Sequence, residues 1–330
     1  MDKINLMNSA NPSVSVIIPI KNEAVKIRAC IDGILSQSIK VKEIIAIDSG
    51  STDGTIEILQ SYDTVKLIQI PSIEFNHGET RNLGVSHATS EFVLLTVGDA
   101  RPYDTDWIKN LLEGFDEDSV AGVCGQQVVP HEMDKNPVEW FRPVDHIVTI
   151  KKFSFTKDQF EKLLPQEKKH ACSWDDVTAM YKRSFLLEIP FKRTSYCEDA
   201  IWAKDALLAG YTIVYNPAAR VYHYHLEDKN FTFKRTLTSL YFRYKHFGFV
   251  SKSPKKGILD NLRIAKTIWQ SKPLNTMDKF RWLKYNNDQF EAMCMAHSIF
   301  ENALAQGEDV LDKKHEKFCG KPPIPLKSRT

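Results

Sequence analysis

The chain has 330 residues, 42% of them hydrophobic and 26% charged, with a formal net charge of +2. That composition excludes a disordered or collagen-like chain, no fixed-period repeat marks a solenoid, and the length is enough to bury a full core without staples. The charge is unevenly spread: residues 1–230 hold 25 Lys and Arg against 33 Asp and Glu, and residues 231–330 hold 19 against 9. A basic C-terminal third therefore follows an acidic body, which suits either an anionic partner or a solvated helical face.

In chain order, the opening MDKINLMNSANPS has no apolar stretch of the kind a signal peptide needs. SVSVIIPI (13–20) predicts a buried strand. Asn22 is placed to cap a helix that carries Ala24, Ile27, Ile31 and Leu35 on one face. EIIAID (43–48) predicts a second strand, followed by a turn and a helix with Ile56 and Leu59. Asp53, just before that helix, reads as its cap. VKLIQI (65–70) is a third strand, 74–88 a polar loop with a short helix, and EFVLLTV (91–97) a fourth strand. Asp104 or Thr105 then caps a helix with Trp107, Ile108, Leu111 and Phe115.

This βαβαβαβ order predicts an α/β fold, an open and mostly parallel sheet with helices on both faces. Ligands of such sheets bind beyond the carboxyl ends of the strands, which singles out Asp48 and Asp99. Further on, 120–129 reads as a strand, 199–209 as a helix stopped by Gly210, and 211–216 and 219–225 as two strands. From Phe231 the pattern is helical, and the last ten residues read as a loose tail. No apolar run is long enough to span a membrane. The six cysteines show no CxxC spacing, which argues for reduced thiols in a cytoplasmic protein.

A nucleotide ligand suits acidic strand ends, yet neither GxGxxG nor GxxxxGK[ST] is present. A divalent metal on carboxylates is the obvious substitute for a glycine-rich phosphate loop. Asp48 can accept a pyrimidine ring N–H, or it can close a local turn.

VSVIIPIKNE (14–23) followed by AIDSGSTDGT (46–55) resembles the start of a family 2 glycosyltransferase. The likeness continues through FNHGETRNLG (75–84), LLTVGDARP (94–102) and YCEDAIWAKDALLAGYTIVYNPAARVYHYH (196–225). FNHGETRN and SWDDVTAMYKRS (173–184) are closest to the bacterial rhamnosyltransferase branch. The resemblance implies a GT-A fold and an inverting transfer from a nucleotide sugar. It implies a catalytic domain over 1–230, with a nucleotide part about 13–102 and an acceptor and base part about 120–228. A helical, basic region fills 231–330.

The resemblance also implies roles. Asp48 binds the base of the donor, Pro19 and Glu23 line the nucleotide pocket, and Arg81 lies near base and diphosphate. Asn76 and His77 fall in the loop near the donor. Asp99 matches the last metal-binding position of a DxD motif whose first aspartate is replaced by Thr96 or Gly98. His223 matches a further metal ligand, with His225 as alternative; two residues apart on a strand, they share a face. Mn2+ or Mg2+ is implied, and histidine with carboxylate favours Mn2+. Asp199 matches the general base and Glu198 its acidic neighbour, although Asp199 could equally cap the helix. Trp174, Asp175 and Asp176 fall where the acceptor site is built, and an indole face can stack on a sugar ring or be buried in the core.

The expected function is transfer of a sugar, dTDP-L-rhamnose being the first donor to test, onto a hydroxyl of a growing surface glycan or lipid-linked glycan. A UDP-hexose or UDP-N-acetylhexosamine donor is the alternative. A non-catalytic carbohydrate-binding or partner subunit is a third reading, and a nucleotidyltransferase is disfavoured because IPIKNE is not a glycine-rich loop. KRTLTSLYFRYKHFGF (234–249) mixes basic and aromatic residues, which suits peripheral contact with an anionic membrane on its inner face, or plain helix packing. Nothing points to nucleic acid.

Overall fold

The computed structural model describes residues 12–140 and 149–320; the expected tail over the last ten residues and nearly all of the N-terminal stretch lie outside them. The chain divides into two compact units. Among the described residues one comprises 12–127 and 149–223, the other 128–140 and 224–320.

The first unit is organised by a nine-stranded sheet. β1 (Val14–Ile20), β2 (Glu43–Asp48), β3 (Val65–Gln69) and β4 (Phe92–Leu95) are the four strands read from the sequence. They lie in the order β3-β2-β1-β4 and pair in parallel, Ile20 opposite Asp48 and Asp48 opposite Gln69. The apolar runs of β1, β2 and β4 are buried, as parallel strands under helices require, whereas the edge strand β3 is only half-covered. Each fully buried Ile or Leu here contributes about 1.5–3 kcal/mol. The helices α1 (Ile27–Leu35), α2 (Thr55–Gln60), α3 (His77–His87) and α4 (Trp107–Leu112) alternate with the strands. Gly84 of α3 lets that helix approach β1 closely: a Cβ there would stand 2.4 Å from Ile17 Cγ2.

Beyond β4 the sheet changes direction. β8 (Ala179–Lys182) lies antiparallel between β4 and β6 (Val120–Val128). β9 (Thr212–Tyr222) follows β6 and pairs antiparallel with the short β5 (Arg101–Pro102) and β7 (Lys151–Phe153). The two strands expected over 211–225 are thus one, ending before His223. The short helices α5 (Lys157–Lys162), α6 (Pro165–Ala171) and α7 (Arg183–Glu188) precede α8 (Glu198–Leu208), which ends before the left-handed Gly210 as expected. Gly125 in β6 is dictated by crowding, because a Cβ would meet the Ala219 carbonyl oxygen at 2.1 Å and Thr178 Oγ1 at 2.6 Å. Gly125→Ala is expected to cost about 1–3 kcal/mol, read as a lower urea midpoint. An unchanged midpoint would mean that β6 and β9 can move apart freely.

The second unit is helical: α9 (Lys229–Phe247), α10 (Ile258–Gln270), α11 (Thr276–Gln306) and α12 (Glu308–Cys319). Phe233, Leu237 and Leu240 of α9 bury against Ala292, Ala296, Phe300 and Ala303 of α11 and Leu311 of α12. The aromatic segment 234–249 is therefore largely a packing face. Tyr241 stacks on His315 with ring centroids 4.1 Å apart. A smaller cluster joins Ile268, Leu274 and Trp282 with Val138. Among the described residues no helix is long and apolar enough to cross a membrane. All six cysteines are free of disulfides.

Candidate active site

The loops after β1 and β2 are tied to each other. Asn22 adopts a left-handed conformation (φ 54°), which Asn tolerates better than most residues. Its backbone N–H donates to Ser51 Oγ at 2.8 Å, and its side-chain oxygen accepts from Thr52 N at 2.8 Å. Glu23 N donates to Thr55 Oγ1 and Ala24 N to Asp53 Oδ2. Asn22 is thus a loop fastener and not a helix cap; α1 begins only at Ile27. Asp53 is not the cap of α2 either: Gly54 takes that place, and Asp53 closes the turn before it by accepting from the backbone N and Oγ1 of Thr55. At the start of α4 neither Asp104 nor Thr105 is the cap; Asp106 holds that place, and Asp104 accepts its N–H at 2.9 Å.

Asp48, at the end of β2, is wholly buried. Its carboxylate accepts from Gly50 N at 3.0 Å, from Ser51 N at 3.1 Å and from Ser51 Oγ. It therefore closes the turn 48–51. Half-buried Pro19 lies near the end of β1 and half-buried Glu23 on the loop that follows; Glu23 Cγ packs beside Gly98, where an added Cβ would stand 3.2 Å away. Thr96 is buried and donates to the Val177 carbonyl, so it offers no substitute for the missing first aspartate.

At the start of α8 the acidic pair comes next to a buried arginine. Arg81, on α3, is 4% exposed. It pairs with Glu198 and lies 3.4 Å from Asp176 Oδ2, so its charge is committed to these two carboxylates. Burial works against its charge, but Asp176, Glu198 and Asp199 hold it firmly protonated. Burial also opposes ionisation of Glu198, yet Arg81 and then His77 pull that carboxyl below its usual range. Asp176 goes the other way: burial raises it to about 6 despite Arg81 and Tyr181. Asp199 feels Arg81 only at longer range and makes no ion pair of its own among the described residues. Burial, then Glu198, Asp176 and Asp175, push its pKa well above the usual carboxylate value.

Asp199 stands in the first turn of α8, where Cys197 takes the cap position, so the helix-cap alternative is not realised. Its Oδ1 accepts the Ala200 N–H at 2.7 Å. Cys197 itself is left-handed (φ 54°), a costly conformation for a non-glycine residue that sets the entry of the acidic pair. His77 opens α3 beside Phe75, and burial lowers its pKa. Asn76 caps α3 by accepting from Gly78 N and Glu79 N, and donates to the Thr194 carbonyl at 2.8 Å.

Trp174 is 8% exposed and packs against Tyr181 and Trp202. Its N–H donates to Tyr181 Oη at 2.6 Å, and Tyr181 in turn donates to Asp176. The expected stacking platform is therefore filled by aromatic neighbours, and Trp174 acts on the acidic cluster through Tyr181.

Asp99, after β4, meets Lys26 Nζ at 3.2 Å and His223 Nε2 at 3.3 Å. Burial opposes its charge, but the hydrogen bond and charge of His223 and then Lys26 hold its pKa down to about 2. His223 Nδ1 lies 2.6 Å from Gln127 Oε1, and Gln127 Nε2 donates to Asp175. Lys26, Asp99, His223, Gln127 and Asp175 thus form one polar chain that reaches the acidic cluster. Lys26, Gln127 and Tyr181 were missed by sequence reasoning; the pair Gln126-Gln127 ending an apolar strand was the available signal. His223 and His225 both follow the end of β9, so strand alternation does not choose between them as ligands.

Residues 15–188 match the family described as Glycosyl transferase family 2. The O-antigen chain rhamnosyltransferase RfbN of Salmonella typhimurium is 31% identical over 218 residues, 64% of this chain and 66% of its own length. WbaN of Salmonella anatum, also an O-antigen chain rhamnosyltransferase, is 30% identical over 221 residues, 65% of this chain and 67% of its own. The matches thus span about two thirds of these relatives. Among solved structures, the mannosyltransferase PcManGT from Pyrobaculum calidifontis, in complex with GDP-Man and Mn2+, superposes with a TM-score of 0.56. Its sequence identity is 18%, covering 88% of this chain and 87% of that one. S. aureus TarS 1–349 in complex with UDP-GlcNAc gives 0.53 at 17% identity, covering 94% and 82%. At such identities the likeness concerns the fold.

Proposed function

The chain belongs to glycosyl transferase family 2 and is a glycosyltransferase of GT-A fold, and we propose that it inverts the anomeric centre of a nucleotide sugar with Asp199 as base. The observation that carries this reading is the Asp199 carboxylate: at the helix start, in no ion pair of its own among the described residues, and raised above the usual aspartate value by burial and then by Glu198, Asp176 and Asp175. In this reading Asp199 takes the proton of an acceptor hydroxyl as that oxygen attacks the anomeric carbon. The carbon–oxygen bond to the diphosphate breaks on the opposite face, and the diphosphate leaves with the bonding pair. Arg81 is paired with Glu198, the residue before Asp199, and with Asp176, and in this reading it acts on the donor only through these carboxylates.

The nucleotide is proposed to lie against the fastened loops 19–23 and 48–51, with Pro19 and Glu23 along the pocket, His77 at its edge, and Asp48 acting through the turn that it closes. Asp48→Ala is then a loop lesion that weakens nucleotide binding.

Asp99 and His223 fit a divalent cation. A carboxylate oxygen and an imidazole nitrogen 3.3 Å apart match the edge of about 3 Å between neighbouring ligands of an octahedral ion. The low pKa keeps Asp99 ionised. One carboxylate and one histidine suit Mn2+ over Mg2+. When bound there, the ion would offset charge on the departing diphosphate.

The likeness to rhamnosyltransferases makes dTDP-L-rhamnose the first donor to test and a surface glycan the first acceptor. A UDP-hexose or UDP-N-acetylhexosamine is the second donor class, since the same fold is seen with UDP-GlcNAc as well as GDP-Man. A lipid-linked acceptor would place the chain at the inner face of the cell membrane.

Calorimetric titration with dTDP, UDP and GDP, with and without Mn2+, is the deciding measurement. We expect one pyrimidine nucleotide to bind, and Mn2+ to tighten it about tenfold or more through Asp99 and His223. Asp99→Ala is expected to remove the Mn2+ effect while leaving metal-free binding in place. Failure of every nucleotide to bind would overturn the donor site. Binding indifferent to Mn2+ would overturn the metal assignment alone.

A further inference from the structure

α10 carries two apolar faces. Ile264 and Ile268 turn inward, toward Leu274 and Trp282. Ile258, Leu259, Leu262 and Trp269 turn outward, with exposures of 80%, 68%, 59% and 52%. At 100° per residue Ile258, Leu262 and Trp269 fall within about 40° of one another, which makes a single ridge along the helix. The ridge continues onto the first turns of α11, where Met277 and Phe280 are 83% and 59% exposed. Trp269 and Phe280 meet edge to face at 5.9 Å, so the two helices present one continuous surface. Scattered exposed apolar residues are ordinary, but six large ones in a single patch are not.

The surroundings of the patch say what covers it. Residues 251–284 contain nine Lys and Arg against two Asp. Lys266 borders the ridge on α10, Arg263 is exposed farther round the same side of that helix, 3.5 Å from Asp260, Lys272 is exposed in the following loop, and Lys279 lies over the Trp269 ring at 5.5 Å. An apolar ridge bordered by long cationic side chains matches the boundary of an anionic bilayer, where apolar groups enter the acyl region and ammonium groups stay with the head groups. Trp suits that boundary, with a large apolar body and one polar N–H. A second copy of the chain would set cation against cation around the same ridge.

We propose that the α10–α11 surface, centred on Leu262, Trp269, Met277 and Phe280, docks on an anionic lipid membrane. This replaces α9 as the membrane-facing element, because the apolar face of α9 is used up in the core. The inference deepens the reading of a lipid-linked acceptor, but its lipid contact is measured without turnover.

The test is flotation of the full chain with vesicles of phosphatidylcholine alone or with phosphatidylglycerol, without donor or acceptor. Binding is expected only with phosphatidylglycerol, weakening as salt rises. Arg263→Gln/Lys266→Gln/Lys272→Gln should lower partitioning by about 100-fold. Leu262→Ser/Trp269→Ser should lower it at least about tenfold while the chain still unfolds cooperatively, since Leu262 is exposed and Trp269 gives up only its contacts with Phe280 and Lys279. No flotation at low salt, or flotation equal with neutral vesicles, overturns the proposal. So does a wild-type dimer in sedimentation that the Leu262→Ser/Trp269→Ser variant dissolves. A chain that floats but transfers no sugar leaves the lipid surface standing and overturns the transfer reading alone.

Discussion

Asp199→Asn is expected to lower sugar transfer about 10³-fold while leaving the nucleotide dissociation constant unchanged. General-base assistance is worth about 10²–10⁴, and Asn keeps the oxygen that accepts the Ala200 N–H, so the helix start survives. The pH profile gives a second handle. A base must be unprotonated, so kcat/KM falls as pH drops through its pKa. Burial and the charges of Glu198, Asp176 and Asp175 raise that pKa, so the acid limb lies above the ordinary aspartate value of 3.8. Glu198→Gln removes a negative neighbour and should move the limb toward lower pH. A limb that stays in place, or full turnover in Asp199→Asn, would put the base elsewhere.

Arg81→Met is expected to destabilise the first unit by about 3–5 kcal/mol, the usual cost of leaving a buried carboxylate without its cation. Two carboxylates are affected. Glu198 loses the charge that holds its pKa down, and Asp176 loses the main influence opposing its burial. Arg81→Lys restores the charge but not the planar fork, so it should recover only part of the loss. Arg81→Met/Glu198→Gln should cost less than the sum of the single variants, because the second change removes the stranded charge. Urea midpoints read all three. A loss below about 1 kcal/mol in Arg81→Met would mean that water reaches the pair and screens it.

The parallel half of the sheet was legible because each strand is a short apolar run closed by turn residues, and neighbours in sequence are neighbours in space. β2 is a clear instance, with EIIAID running from Glu43 to Asp48. β8 was not legible as a central strand. Its four residues, AMYK, carry no period of their own, and their partners at Phe92–Leu95 and Gly122–Cys124 lie far off in sequence. The acidic residues of the site entered through the family likeness to EDAIWAKDALLAG and RVYHYH. What that likeness did not carry was how they are held. The bond between His223 and Gln127 joins residues 96 apart, and that between Arg81 and Glu198 joins residues 117 apart. Such bonds leave no local pattern. Trp174 illustrates the opposite error: an aromatic in the right segment reads as a sugar platform until Tyr181 and Trp202 are seen against it.

The antiparallel β8, inserted between β4 and β6, orders events during synthesis. The four parallel strands are complete once residue 95 has emerged, and they close through short crossovers, the contacts that form fastest. β4 then waits for the 83 residues between it and β8. Throughout that interval Phe92, Val93, Leu94 and Leu95 form a bare sheet edge, open to pairing with another nascent chain. Products terminated between residues 96 and 178 keep that edge, so they should be lost to aggregates before they accumulate as nucleotide-binding fragments.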